Sequence, residues 1–299
     1  MNRRDFLKLT ALTSLSVAAG FDTFTDAAFG AAPAYDLAVA TGPSPAKITA
    51  AAIEALGGMK SFIQRGDIVV VKPNIGWDRT PEYAANTNPE VVAVLVSLCY
   101  EAGAKKVKVF DRPVNDPRRC YVQSGIADAV KKSGGELSYI DDRKFRDVKI
   151  NGSVLKSWPL YTELMEADKI INVPIAKHHG LSKLTLGMKN WMGVMGGSRW
   201  SIHQKIDESL VDLAMAIKPT LVVLDAVRIL TANGPQGGNL KDVKKLDTVV
   251  AGVNQVAVDA YGATLFGMKS SDLGYVRLAS QRGFGPMDVA QMKIRKVSV

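Results

Sequence analysis

Apolar positions along this chain fall into two alternating rhythms. Short runs rich in Val and Ile, bounded by charged residues, read as strands over 36–41, 67–72 (DIVVVK), 105–110, 136–140, 168–173 (DKIINV), 220–225 (TLVVLD) and 248–253. Between them the apolar spacing is helical, over 45–64 with Ser44 as cap, 89–102, 121–133, 210–217 and 255–266. Several strands are apolar on both sides, the pattern of a parallel sheet covered on each face. Repeated strand–helix units of this length predict an α/β fold: a mostly parallel, doubly wound sheet with helices on both faces. The stretch 147–159 interrupts the rhythm with Asn151-Gly152, a tight-turn pair, and predicts a small β-hairpin insertion.

The N-terminus follows a different rule. Arg3-Arg4-Asp5-Phe6-Leu7-Lys8 precedes an apolar run over 9–20, then small residues over 27–34. This is the pattern of a twin-arginine export signal. Its apolar run is too short to cross ~30 Å of hydrocarbon. The expected organisation is therefore a signal over 1–34 and one α/β domain over 35–299. The expected location is periplasmic or otherwise extracytoplasmic, with the twin-arginine machinery as partner and no stable membrane span after cleavage.

Composition narrows the ligand. The formal charge of the 299-residue chain is +9, and within 1–34 Arg3, Arg4 and Lys8 cancel Asp5, Asp22 and Asp26, so the basic excess belongs to the domain. The Lys and Arg are dispersed and lack an interleaved aromatic platform, which argues against nucleic acid. A small anionic molecule suits the charge better. Cys99 and Cys120 stand outside any CxxC pair, so no iron–sulfur cluster is expected. In an oxidising compartment a disulfide and two free thiols both remain open.

Ligands of open α/β sheets bind beyond the carboxyl ends of the strands. There the chain places Lys72 and Asn74, Asp111, then Lys177, His178 and His179, and Asp225. All three histidines, His178, His179 and His203, fall within the densest segment, 172–205, together with Lys189, Asn190 and Arg199. Lys72, Lys177 and Lys189 are expected to hold an anion, with His179 or His203 as acid or base; a lysine there also has the chemistry to form an imine. Neighbouring His178 and His179 point to opposite faces of a strand. A closed zinc site lacks thiols, whereas an open metal on His179 and His203 with Asp225 or Asp259 stays conceivable. Trp191 and Trp200 either wall the pocket or pack in the core. The Asn233–Gly238 loop is a candidate lid or phosphate cradle, although it matches neither the P-loop nor GxGxxG, and no GxSxG elbow is present.

Lys72-Pro73-Asn74, Thr87-Asn88-Pro89, Lys177-His178-His179, Gly187-Met188-Lys189-Asn190, Gly193, His203, Asp225-Ala226, Asn233 to Gly237 and Val256 to Ala260 appear in an order that resembles the family called domain of unknown function 362. The resemblance spans nearly the whole domain. Many relatives carry a fused ferredoxin-like module with cysteine runs; no such module is expected here. A narrower resemblance is to lactate racemase, where a histidine stands ten residues before the lysine carrying a nickel-pincer nucleotide, as His179 stands before Lys189. The resemblances imply a site more than a reaction. Three expectations follow: binding or transformation of a small carboxylate or phosphate, a cofactor-binding or redox accessory role beside a separate iron–sulfur partner, and a nickel-pincer-like racemase or epimerase.

Overall fold

The computed structural model describes residues 34–299, so the signal expected over 1–34 lies outside the described residues apart from its last position. In chain order the domain begins β1 (Leu37–Thr41), α1 (Pro45–Ala55), β2 (Ile68–Pro73), α2 (Pro89–Glu101) and β3 (Lys106–Val109). It continues through α3 (Pro117–Gln123), α4 (Ile126–Lys132), β4 (Glu136–Leu137), β5 (Phe145–Lys149) and β6 (Ser157–Tyr161). Next come α5 (Thr162–Met165), β7 (Lys169–Val173), β8 (Ile175–His179), β9 (Lys183–Thr185) and α6 (Gly187–Asn190). The last elements are α7 (Ile206–Ala216), β10 (Leu221–Leu230), β11 (Val243–Gly252), α8 (Gln255–Thr264), α9 (Gly274–Gln281) and β12 (Ile294–Ser298).

Local chemistry explains most boundaries. Ser44 caps α1 through the Lys47 N–H, as expected, and Asn88 caps α2 through the Glu90 N–H, with Pro89 opening the helix. The helix expected over 45–64 stops at Ala55, because Gly57 and Gly58 take left-handed backbone at φ 101° and 80°. The one expected over 121–133 starts earlier, at Pro117 under the Asp116 cap, and divides at Gly125, φ 73°. The hairpin forms with Asp147 opposite Pro159, and Asn151 takes φ 54°. Its connection is longer than two residues. Buried Asp212 accepts the Ser153, Val154 and Leu155 N–H groups at 3.0, 2.7 and 2.9 Å and pairs with Arg282 at 2.8 Å, fastening the loop to α7.

The sheet has the strand order β12-β1-β11-β10-β7-β2-β3-β4. All neighbours on this path are parallel except where β11 pairs with β1 and β10. Alternate residues of each strand enter different cores. Val70, Ile170 and Leu224 face α7, α8 and α9, while Val69, Val71, Ile171 and Val223 face α1 and α2. This is the doubly wound arrangement, with helices on both faces.

One departure from a simple sheet builds the site. β7 pairs with Leu221 and Val222 at the start of β10, then the chain passes Pro174 and continues as β8 beside the far half of the same strand. β8 turns back through β9, with Lys177 opposite Thr185 and His179 opposite Lys183. The β8–β9 hairpin therefore stands beyond the carboxyl edge of β2 and β7.

Candidate functional site

Register places Lys72 on β2 beside Asn172 on β7. Both are wholly buried, and a polar network grows from them. The Lys72 ammonium pairs with Asp111 at 2.9 Å and donates to the Asn190 carbonyl and Oδ1 at 2.6 and 2.9 Å. Asn190 Nδ2 donates to Asn172 Oδ1 at 2.8 Å, and Asn172 Nδ2 donates to the Gly187 carbonyl at 2.8 Å. Asn74 Nδ2 reaches the same Asn190 Oδ1 at 3.1 Å, while Asn74 Oδ1 accepts from Lys177 Nζ at 2.9 Å. Lys177 also donates to the Ala85 carbonyl. Four strand ends and the short helix α6 thus meet through hydrogen-bonded amides.

Asp111 is the carboxylate of this centre, and three donors converge on it. Besides Lys72 it accepts the Ile75 N–H at 2.6 Å and the Arg112 N–H at 2.9 Å. Gly193 crosses directly above the ion pair. A Cβ there would lie 1.7 Å from Asp111 Oδ1 and 2.6 Å from Lys72 Nζ, so no side chain fits.

Around this neutralised pair stands further positive charge. Lys177 and Lys189 are 1 % and 7 % exposed, and half-buried Arg199 donates to the Arg112 and Pro113 carbonyls at 2.8 and 3.0 Å. Burial lowers the Lys72 ammonium against the opposing pull of Asp111. Burial, then the charge of Lys189, lowers Lys177 to about 7. Burial, then Arg199, lowers Lys189 to about 7. The contact of the Lys189 amine is Met192 Sδ at 3.2 Å, a weak acceptor.

The histidines divide as a strand requires. His179 Nδ1 accepts the Leu181 and Ser182 N–H groups at 3.1 and 3.3 Å, which leaves its proton on Nε2. Burial, then Lys189 and Lys177, lowers it to about 3, so its ring is neutral across the physiological range. His203 lies parallel to it with ring centroids 6.3 Å apart and carries Trp200 at 4.9 Å. His178 turns the other way and accepts the Gly234 N–H at 3.1 Å. A cavity of about 630 Å³ is lined by both His178 and His179, with Lys183, Leu184, Lys244 and Phe266, while Lys177 and Lys189 lie outside its walls.

The expected site residues therefore separate. Lys72, Asn74, Asp111, Lys177 and Asn190 share one network, with Lys189, His179 and His203 beside it. Asp259 supports it from behind, accepting the Gly187 and Met188 N–H groups at 2.6 and 2.9 Å, and burial raises it to about 7. Asp225 accepts the Asn88 and Val227 N–H groups at 2.7 and 2.9 Å, which ties α2 to β10. Asn233 bonds Asp242 at an exposed loop, apart from the network. With both carboxylates committed to backbone amides, neither joins the histidines, and no group of three metal-ligating side chains occurs among the described residues. Trp191 is a core residue bonded to Gln255, whereas Trp200 is 74 % exposed above His203. Cys99 and Cys120 are both buried free thiols.

Asn172 and Met192 were not among the expected residues. Asn172 did leave a signal, since an amide in the middle of DKIINV interrupts an otherwise apolar buried strand. Met192 left none, because a thioether among apolar residues reads as packing.

Among proteins of known sequence, the chain is 32 % identical over 206 residues to the thylakoid-associated protein sll1697 of Synechocystis sp.. That alignment covers 64 % of this chain and 61 % of the relative, so the chain spans about three fifths of the relative's length. Two solved structures are more distant. The lactate racemase apoprotein of Thermoanaerobacterium thermosaccharolyticum aligns over 70 % of this chain and 53 % of its own, at 10 % identity and a TM-score of 0.47. A Thermotoga maritima protein from a structural genomics programme aligns over 79 % and 58 %, at 12 % identity and a TM-score of 0.40. Neither likeness bears on the chemistry of the site. Residues 69–264 run from β2 to the end of α8 and so contain every residue of the network; they match the family described as Domain of unknown function (DUF362), to which this chain belongs.

Proposed function

We propose that the strand-edge cluster binds a small anionic ligand, a carboxylate or phosphate. One observation carries the reading: three buried lysines and Arg199 gather at a network whose carboxylate, Asp111, is already paired with Lys72 and two backbone N–H groups. Such an excess of buried cations is costly until an anion neutralises it. The neutral His179 ring adds a fixed Nε2–H donor, and His203 under Trp200 offers a partly exposed imidazole beside it. Binding would draw Lys177 and Lys189 back toward the charged form, so the ligand should be taken up together with protons.

Thermal unfolding with phosphate, oxalate and malonate tests the reading. A saturable rise in midpoint is expected, with on the order of 3 kcal/mol of stabilisation at a hundredfold excess over Kd. Lys189→Ala should abolish it. A wild-type midpoint indifferent to every small anion would falsify the proposal.

The opening residues support a second element, export by the twin-arginine route. A relative whose name is thylakoid-associated accords with a location at or beyond a membrane. No helix among the described residues is long and apolar enough to cross one. Replacing Arg3 and Arg4 by lysines should retain the protein in the cytoplasm of a bacterial host; export undiminished by that change would count against the signal.

A further inference from the structure

The buried lysines of the site are not equivalent. Lys72 holds Asp111 and Asn190, and Lys177 holds Asn74 and the Ala85 carbonyl. Among the described residues Lys189, 7 % exposed, has only a thioether, Met192 Sδ, as partner. An ammonium buried without an oxygen acceptor is expensive, whereas a neutral amine in that place is not, and its lone pair is then free. The residue sits on a single turn of helix, α6, held from behind by Asp259 at Gly187 and Met188 and from the side by Asn190. Its backbone is therefore fixed, and the side chain ends among cations that would hold an anion beside it.

We propose that Lys189 is a nucleophilic amine that forms an imine with the carbonyl carbon of a small oxo acid, whose carboxylate is held by Lys177. This deepens the anion-binding reading and rests on it. The neutral amine attacks the carbonyl; a C–N bond forms and the C=O π bond opens to a carbinolamine. The C–O bond then breaks, the oxygen leaves as water carrying both amine hydrogens, and C=N remains. Nothing is oxidised or reduced. Arg199, which helps keep Lys189 uncharged by repulsion, is the positioning residue.

The test uses glyoxylate as the probe, with cyanoborohydride to trap the imine and peptide mass mapping to locate it in the wild-type chain at pH 7. Lys189 should gain one carboxymethyl group at least ~10-fold faster than exposed Lys60, since near-neutral basicity leaves a large share of an amine unprotonated. Labelling should fall when oxalate, which has no electrophilic carbonyl, is added first. Arg199→Gln should move the pH midpoint of labelling upward without removing it, a readout that a purely structural role would not change. If oxalate raises the unfolding midpoint while glyoxylate labels only surface lysines, the imine is overturned and anion binding stands. If neither molecule acts, both proposals are overturned.

Discussion

Lys189→Met should make the ligand-free protein more stable, which is unusual for a change at a buried site residue. The side chain stays unbranched and ends one atom short of the amine it loses, beside the thioether of Met192. Lys189 is lowered from 10.5 to about 7, burial being the first cause and Arg199 the second. Between those pH values the unfolded chain binds a proton that the folded one does not, so the folded state loses stability relative to the unfolded as pH falls. At ~1.4 kcal/mol per pH unit the cost at pH 7 is on the order of 5 kcal/mol, and relaxation around the amine reduces what survives. Urea unfolding followed by fluorescence should show Lys189→Met more stable than wild type by about 2 kcal/mol or more at pH 7. The gap should narrow as pH rises and close only above about 10.5, where Lys189 is neutral in both states. A variant that is less stable at pH 7, or a gap that does not change with pH, would refute the reasoning.

Three further outcomes follow from the same geometry. Gly193→Ala would force a Cβ into the Lys72–Asp111 pair and should cost about 3 kcal/mol or more, read by the same unfolding assay. Asp225→Ala leaves the Asn88 and Val227 N–H groups without their acceptor and should cost about 2 kcal/mol, with faster hydrogen exchange at the start of α2. His179 is held neutral down to about 3, so the unfolded chain alone takes up this proton as pH falls below 6.5. Stability should therefore drop by ~1.4 kcal/mol per pH unit from this group. His179→Asn keeps an acceptor for the Leu181 and Ser182 N–H groups and should make that loss shallower; an identical acid profile would count against the burial argument.

Most strands and helices were legible because their signals are local, β8, β9 and β12 being the strands missed. DIVVVK and TLVVLD are apolar on both sides and lie in the middle of the sheet, while Ser44 and the Asn88-Pro89 pair mark helix starts by the hydrogen bonds they make within four residues. Boundaries slipped where one residue decides the backbone, as at Gly57 and at Gly125. The β8–β9 hairpin was not foreseen, since the strand expected over 168–173 stops before Pro174 and the partners of β8 come together only in the fold.

Sequence alone determined the inventory of the site: a basic excess gathered at strand ends, all histidines in one segment, and lysines at 72, 177 and 189. It also determined that adjacent His178 and His179 must diverge, because side chains of a strand alternate. What each charged group does was decided only in three dimensions. Asp225, Asp259 and Asp111 look alike in the chain, yet backbone N–H groups hold all three and Lys72 pairs with Asp111. The three lysines look alike too, and the one left with a sulfur atom for company differs only in what the fold brings within about 3 Å of its amine. Burial and partners are properties of the packed molecule, so the charge that each group carries is set there.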